Sequence, residues 1–216
     1  MDFALTDDQT QIRDMVRAFA AEKIAPYAAQ WESEKTIPRQ ILKEAADLGL
    51  AAITVRDENG GSGLSRVESV LIFEELSYAD PVVASFLSIH NMCAWMIDSY
   101  GSAEQRQTWL PKLCAMEQVA SYCLTEPGSG SDAAALRTKA VKDGNSHYSL
   151  TGSKAFISGG GYSDVYLVMC RTGEEGPKGI SCILVEKDTD GLSFGINERK
   201  MGWHAQATAM VNLDQA

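Results

Sequence analysis

Two short stretches carry residue types that do chemistry together. The first runs from Ala120 to Asp132 and opens as a strand, Ala120 to Thr125. It then breaks into a turn of residues with little bulk. Pro127 fixes φ and removes one donor. Gly128 and Gly130 permit positive φ and close approach of a ligand to the backbone. Ser129 and Ser131 add short hydroxyls, and the N–H groups of such a loop can converge on an anion. The second stretch, Gly152 to Gly161, follows a strand reading His147 to Thr151. It sets an aromatic (Phe156), an aliphatic (Ile157) and a hydroxyl (Ser158) in a row before three glycines. Phe156 could lie over a flat ring and Ser158 could reach a ring heteroatom. A strand ending in a nest of small residues suits a flat polar ring with phosphates behind it. The same residues also make ordinary strand corners, and composition alone leaves both readings open. A third glycine-rich stretch, Val55 to Leu64, lacks the Gly-Lys-Ser/Thr of a phosphate loop and reads as an irregular connection.

The elements that must position these stretches fall into two groups. Thr6 and Gln9 have capping-box spacing, and Ile12, Met15, Val16, Phe19 and Ala20 follow on one helical face. Pro26 kinks or stops that helix. A second helix is predicted from Pro38 at its first position, with Ile41, Leu42, Ala45 and Leu48 inward and Gly49 after its end. A third, from Arg66 to Tyr78, is predicted to bury Val67, Val70, Leu71, Phe73 and Leu76. The next, from Pro81 to Tyr100, is apolar nearly all round and belongs in the middle of a bundle. Its Met92, Trp95 and Met96 serve as core or as the wall of an apolar pocket. Ser102 and Gln105 form another capping box before a shorter helix. Beyond Glu117 the pattern changes to short strands at 119–125, 136–141, 147–150, 165–171, 180–185, 192–194 and 208–213. Turns are expected at Asp143-Gly144-Asn145, Thr151-Gly152, Gly159 to Gly161, Gly173 to Gly176 and Asp190-Gly191. The fold class is therefore α+β: an all-helical N-terminal domain, residues 1–116, followed by an antiparallel β-sandwich or barrel, residues 117–216.

Of the 216 residues, 45% are hydrophobic and 22% charged, an ordinary globular balance. A formal net charge of −10 argues against non-specific nucleic-acid binding. The five cysteines form no Cys-x-x-Cys pair and read as reduced core thiols, with no metal site expected. No window approaches the roughly 20 apolar residues of a membrane span. Met1 to Leu5 show no basic n-region, so no signal peptide is expected. The chain reads as bacterial cytoplasmic, or as a mitochondrial matrix form whose leader has been removed.

The two stretches together resemble the flavin-holding segments of the acyl-CoA dehydrogenase family. The resemblance runs from Leu5-Thr6 to the last residue. Through Ser88 to Asp98, Tyr122 to Asp132 and Gly179 to Ile183 it is closest to the isobutyryl-CoA branch. It implies FAD as cofactor, bound in a cleft between the β domain and the helices. The cofactor contacts it implies are Tyr122, Cys123, Leu124, Thr125, Glu126, Pro127, Gly128, Ser129, Gly130, Ser131, Phe156, Ile157 and Ser158. Thr125 and Ser158 would hydrogen-bond the ring, the N–H groups of Tyr122 to Thr125 would hold its pyrimidine edge, and Phe156 would pack on it. Ser131 would be shared with the CoA portion of the substrate, and Met92, Trp95 and Met96 would wall the acyl pocket. The reaction implied is α,β-dehydrogenation of a short branched acyl-CoA, isobutyryl-CoA to methacrylyl-CoA, as in valine catabolism. Electrons would pass to an electron-transferring flavoprotein, and the full-length protein would be a homotetramer. Relatives continue into a C-terminal four-helix domain that carries the glutamate base. No catalytic base is expected within these residues, and Glu126 reads as structural. A non-catalytic flavin- or CoA-binding module, an acyl-CoA oxidase and a flavin monooxygenase are the rival readings on the same scaffold.

Overall fold

The structure is a computed structural model that describes residues 4–144 and 147–216. Asn145 of the expected turn at 143–145 lies outside the described residues. The chain divides into two compact units. One comprises Met1–Gln118 and takes back Lys200–Gln206; the other comprises Val119–Arg199 and Ala207–Ala216.

The first unit is helical. Its helices are α1 (Asp7–Phe19), α2 (Ala28–Glu34), α3 (Arg39–Asp47), α4 (Arg66–Ala79), α5 (Pro81–Tyr100) and α6 (Ala103–Cys114). The capping boxes at Thr6 and Ser102 form as their spacing dictates, and a further one closes at Ser65 and Glu68. Pro38 is the residue before α3 rather than its first. The first helical run stops at Pro26 as expected: α1 passes through a π turn at Ala20–Ile24, a turn follows at the proline, and a separate helix, α2, begins two residues beyond it. The predicted face of α4 is corrected. Val67 and Val70 are exposed, at 54% and 65%, while Ile72, Glu75 and Leu76 are buried. The helix carries two apolar stripes, and the one that packs is displaced around the axis from the one predicted.

The α5 helix is the centre of this unit, and three polar residues inside it tie it to the 50–59 connection and to α6. Asn91 accepts from the Ile53 N–H at 2.7 Å and donates to Leu50 O at 2.8 Å. His90 Nε2 meets Leu113 O at 3.0 Å. Asp98 accepts from the Arg56 guanidinium at 3.0 Å and from Asn59 at 2.6 Å. The glycine-rich stretch from Val55 to Leu64 is thus an anchored connection. At the start of α5, Asp80 caps the Val82 N–H, and burial raises its carboxyl above the usual range. The described residues contain no helix long and apolar enough to cross a membrane.

The second unit is one mixed, curled sheet of β1 (Ala120–Cys123), β2 (Lys139–Asp143), β3 (His147–Ser158), β4 (Val165–Arg171), β5 (Ile180–Glu186), β6 (Leu192–Phe194) and β7 (Thr208–Asp214). The order is β1-β4-β2-β3-β7-β6, with β5 paired to β4. Neighbouring strands are antiparallel in β2–β3, β3–β7, β4–β5 and β6–β7, in keeping with the antiparallel sheet expected. β1 pairs with β4 in parallel, and β2 touches β4 in parallel at Lys139 and Arg171. A parallel pair needs a long crossover, and residues 124–164 supply it. Thr151-Gly152 is not a turn. β3 runs on through it; a Cβ on Gly152 would sit 2.4 Å from Thr138 Oγ1, so that glycine marks a close approach of backbone, not a reversal. The core gathers Cys123, Ala140, Leu150, Ile157, Tyr166, Val168, Cys170, Val185, Val211 and Leu213.

Candidate functional site

Both chemistry-bearing stretches lie in the β unit and are tied to each other. The Ala155 N–H donates to Thr125 O at 2.8 Å. Lys154 Nζ donates to Leu124 O at 3.0 Å and to Glu126 Oε1 at 2.8 Å. The Ser121 hydroxyl donates to Ser158 O at 2.6 Å. The two corners are therefore fixed side by side.

The local backbone explains what faces outward. Along β3 and β7 the register steps from Lys154–Val211 to Ile157–Ala209, so β3 holds one residue more than its partner. This is a β-bulge, which re-aims a side chain. Phe156 takes the extra position at φ +58° and is 67% exposed. A left-handed conformation is disfavoured for a bulky L-residue, and outliers of that kind concentrate at functional sites. On the other corner, Glu126 and Ser129 exchange backbone hydrogen bonds and close a tight turn. Added Cβ atoms on Gly128 and Gly130 would meet nothing within 4 Å. The surface above this turn is open. Among the described residues, the N–H and hydroxyl of Thr125 take no protein partner.

Not every expected contact points that way. Cys123 and Ile157 are buried in the sheet core, which leaves them only backbone atoms to offer. The Ser129 hydroxyl is used on Asp132 O at 2.7 Å. Glu126 is buried and turned inward, where it also accepts from the Arg137 N–H at 2.6 Å and the Thr138 N–H at 2.9 Å. Its carboxylate belongs to the scaffold. Pro127, Gly128, Gly130 and Ser131 are exposed, while Tyr122, Leu124, Thr125 and Ser158 are half-buried. Met92, Trp95 and Met96 belong to the helical unit and are half-buried on α5. Met92 lines a groove of about 690 Å³ with Ile53, Arg66, Val70 and Phe73. Trp95 lies under the Arg66 guanidinium, 4.9 Å from the ring centroid.

Lys154 is the residue that sequence reasoning passed over. Its side chain is fully buried, in the strand that leads to Phe156. Burial pushes the Glu126 carboxyl up, but the Lys154 ammonium and two backbone N–H groups outweigh it and hold the group at about 2. A carboxylate depressed on folding stabilises above its unfolded pKa, and that contribution is lost as pH falls towards the folded value. Above pH 4.5 the Glu126 contribution is therefore complete, and it drains away between there and about 2. The urea midpoint of the wild-type chain is expected to exceed that of Glu126→Gln at pH 7, with the gap shrinking by pH 3. A gap that stays constant with pH would count against this assignment.

Residues 6–117 match the family described as acyl-CoA dehydrogenase, N-terminal domain, and residues 121–216 match acyl-CoA dehydrogenase, middle domain. The chain belongs to the acyl-CoA dehydrogenase family. It is 60% identical over 205 residues to the mitochondrial isobutyryl-CoA dehydrogenase of Dictyostelium discoideum, covering 94% of this chain and 49% of that protein. It is 51% identical to the mitochondrial isobutyryl-CoA dehydrogenase of Bos taurus, covering 96% of this chain and 50% of that one. Among solved structures, a glutaryl-CoA dehydrogenase from Mycobacterium smegmatis in complex with FADH2 superposes with a TM-score of 0.90 at 32% identity, covering 98% of this chain and 54% of that chain. The chain thus spans about half the length of the curated relatives it matches.

Proposed function

We propose that this chain carries the flavin-holding part of an FAD-dependent acyl-CoA dehydrogenase that acts on a short branched acyl-CoA, isobutyryl-CoA first. The observation that supports the cofactor is the pairing of two corners in one sheet, with the Thr125 N–H, the Thr125 hydroxyl and the Phe156 ring unused by the fold. A flat ring with hydrogen-bonding edges fits that set: donors for its rim and an aromatic face for its plane. Thr125 holds the edge, Phe156 lies on the ring, Ser158 reaches it from the second corner, and Ser131 meets the CoA portion. The acyl class is supported by identity to the two isobutyryl-CoA dehydrogenases. When bound, FAD supplies the hydride acceptor for the substrate β carbon.

Removal of the α proton needs a carboxylate whose pKa is raised toward the working pH in a dry site. The buried carboxylates described here are otherwise engaged. Glu126 is paired with Lys154, Asp98 with Arg56, Glu75 with Arg17, and Asp80 caps α5. We therefore place the base outside the described residues. Oligomerisation and transfer of electrons to an electron-transferring flavoprotein belong to the same reading of the whole protein.

The test is to add FAD to the 216-residue chain, remove free flavin by gel filtration, and assay isobutyryl-CoA with an artificial electron acceptor. The expected result is a retained flavin with a shifted visible spectrum and no turnover above that of free FAD. A chain that retains no flavin overturns the cofactor assignment. Turnover by the chain alone overturns the placement of the base.

A further inference from the structure

We propose that Lys154 is a positioning residue that tunes the reduction potential of the flavin through the Leu124–Thr125 peptide group. The inference rests on the flavin site proposed above and concerns a side chain that does not touch the ligand. Lys154 is fully buried, and Nζ donates to Leu124 O at 3.0 Å. That oxygen belongs to the same peptide unit as the Thr125 N–H. The chain contains no cis peptide bond among its described residues. In a planar trans peptide the C=O and N–H point in opposite directions. The Thr125 N–H, which has no protein partner, therefore points away from Lys154.

A cation on the carbonyl oxygen withdraws electron density across the conjugated amide and makes the N–H on the other side a stronger donor. Hydrogen bonds in chains polarise one another in this way where the dielectric is low. A stronger donor at the rim favours whichever state of the ring carries more negative charge, and that is the reduced one. Glu126, 2.8 Å from the same ammonium, holds the opposing charge. It offsets part of the field and is itself kept from the ligand side by the Arg137 and Thr138 amides. The pair is thus a buried dipole with its positive end against the peptide that presents Thr125.

This arrangement gives opposite signs to two substitutions. Glu126→Gln keeps the cation and removes its counter-charge, so the bound flavin becomes easier to reduce. The double variant Lys154→Met with Glu126→Gln removes the dipole without stranding a charge, so the flavin becomes harder to reduce. One hydrogen bond strengthens the next by about 10–30%, so the preference for the reduced form is expected to change by up to about fourfold per step. For a two-electron couple that is up to about 20 mV per step.

The experiment measures the midpoint potential of FAD bound to the 216-residue chain in the three forms, and the Thr125 amide resonance of each form without flavin. The expected order is Glu126→Gln highest, wild type between, double variant lowest, with the Thr125 amide moving downfield in the same order. A merely structural strut predicts that both variants shift together or not at all, and either result overturns the proposal. Should one variant fail to fold, the sign of the shift in the other against wild type decides: a rise for Glu126→Gln or a fall for the double variant supports the proposal, and the opposite sign or no shift overturns it. Should the wild-type chain bind no flavin, the site assignment falls instead, and the amide order still tests the polarisation.

Discussion

Replacing Lys154 by methionine is expected to destabilise the chain by about 3–5 kcal/mol, the usual cost of stranding one member of a buried ion pair. Lys154 has no exposed surface and the Glu126 side chain only 7%. With the ammonium gone, the carboxylate keeps two backbone N–H partners but no counter-charge. Leu124 O also loses its donor. A loss of that size is a large fraction of a domain's total stability, so the variant is expected to unfold at markedly lower urea. The double variant Lys154→Met with Glu126→Gln is expected to lose less, because no unpaired charge stays in the core. Neighbours in one network are not additive, and the cycle reads their coupling directly. A single variant whose urea midpoint matches the wild type would show that water reaches the pair.

The helix starts were legible because capping is local. Thr6 with Gln9 and Ser102 with Gln105 each sit three residues apart, and each box forms. The face of α4 was not, since Val67 and Val70 compete with Ile72 and Leu76 on a helix apolar on two sides. Choosing between them needs the neighbours on the packed side, which are far away in sequence. The parallel β1–β4 pair is hidden for the same reason: turn spacing reports on adjacent strands and says nothing about a strand that arrives after a long crossover. Lys154 was legible in principle. Leu150, Gly152 and Lys154 alternate onto one face of β3, and Leu150 is buried. A lysine on the inward face of a strand calls for a buried carboxylate. The bulge at Phe156 left no such trace, because nothing in Ala155-Phe156-Ile157 specifies an extra residue or a positive φ.

If Phe156 packs on the flavin as proposed, its bulge lets binding be separated from folding by substitution. Phe156 holds φ +58° and is 67% exposed. A left-handed conformation costs an L-residue roughly 1–2 kcal/mol, and an exposed ring returns little of it through burial. Glycine takes that conformation freely but loses roughly 0.5–1 kcal/mol through the greater freedom of its unfolded chain. Phe156→Gly is therefore expected to leave the ligand-free chain as stable as wild type or up to about 1 kcal/mol more stable. The same change removes the aromatic face. Ring-on-ring contact contributes about 0.5–1.5 kcal/mol beyond area burial, and lost apolar contact adds to it. Flavin affinity is expected to fall ten- to a hundredfold, about 1.4–2.8 kcal/mol. Phe156→Ala serves as the control, losing the ring while keeping a Cβ at positive φ, so it should bind as poorly as glycine and be less stable. Urea midpoints without ligand and quenching of flavin fluorescence on titration read the two effects independently. If Phe156→Gly bound flavin as tightly as wild type, the ring would have no part in the site. If it were less stable than Phe156→Ala, the bulge would carry no strain for a ligand to exploit.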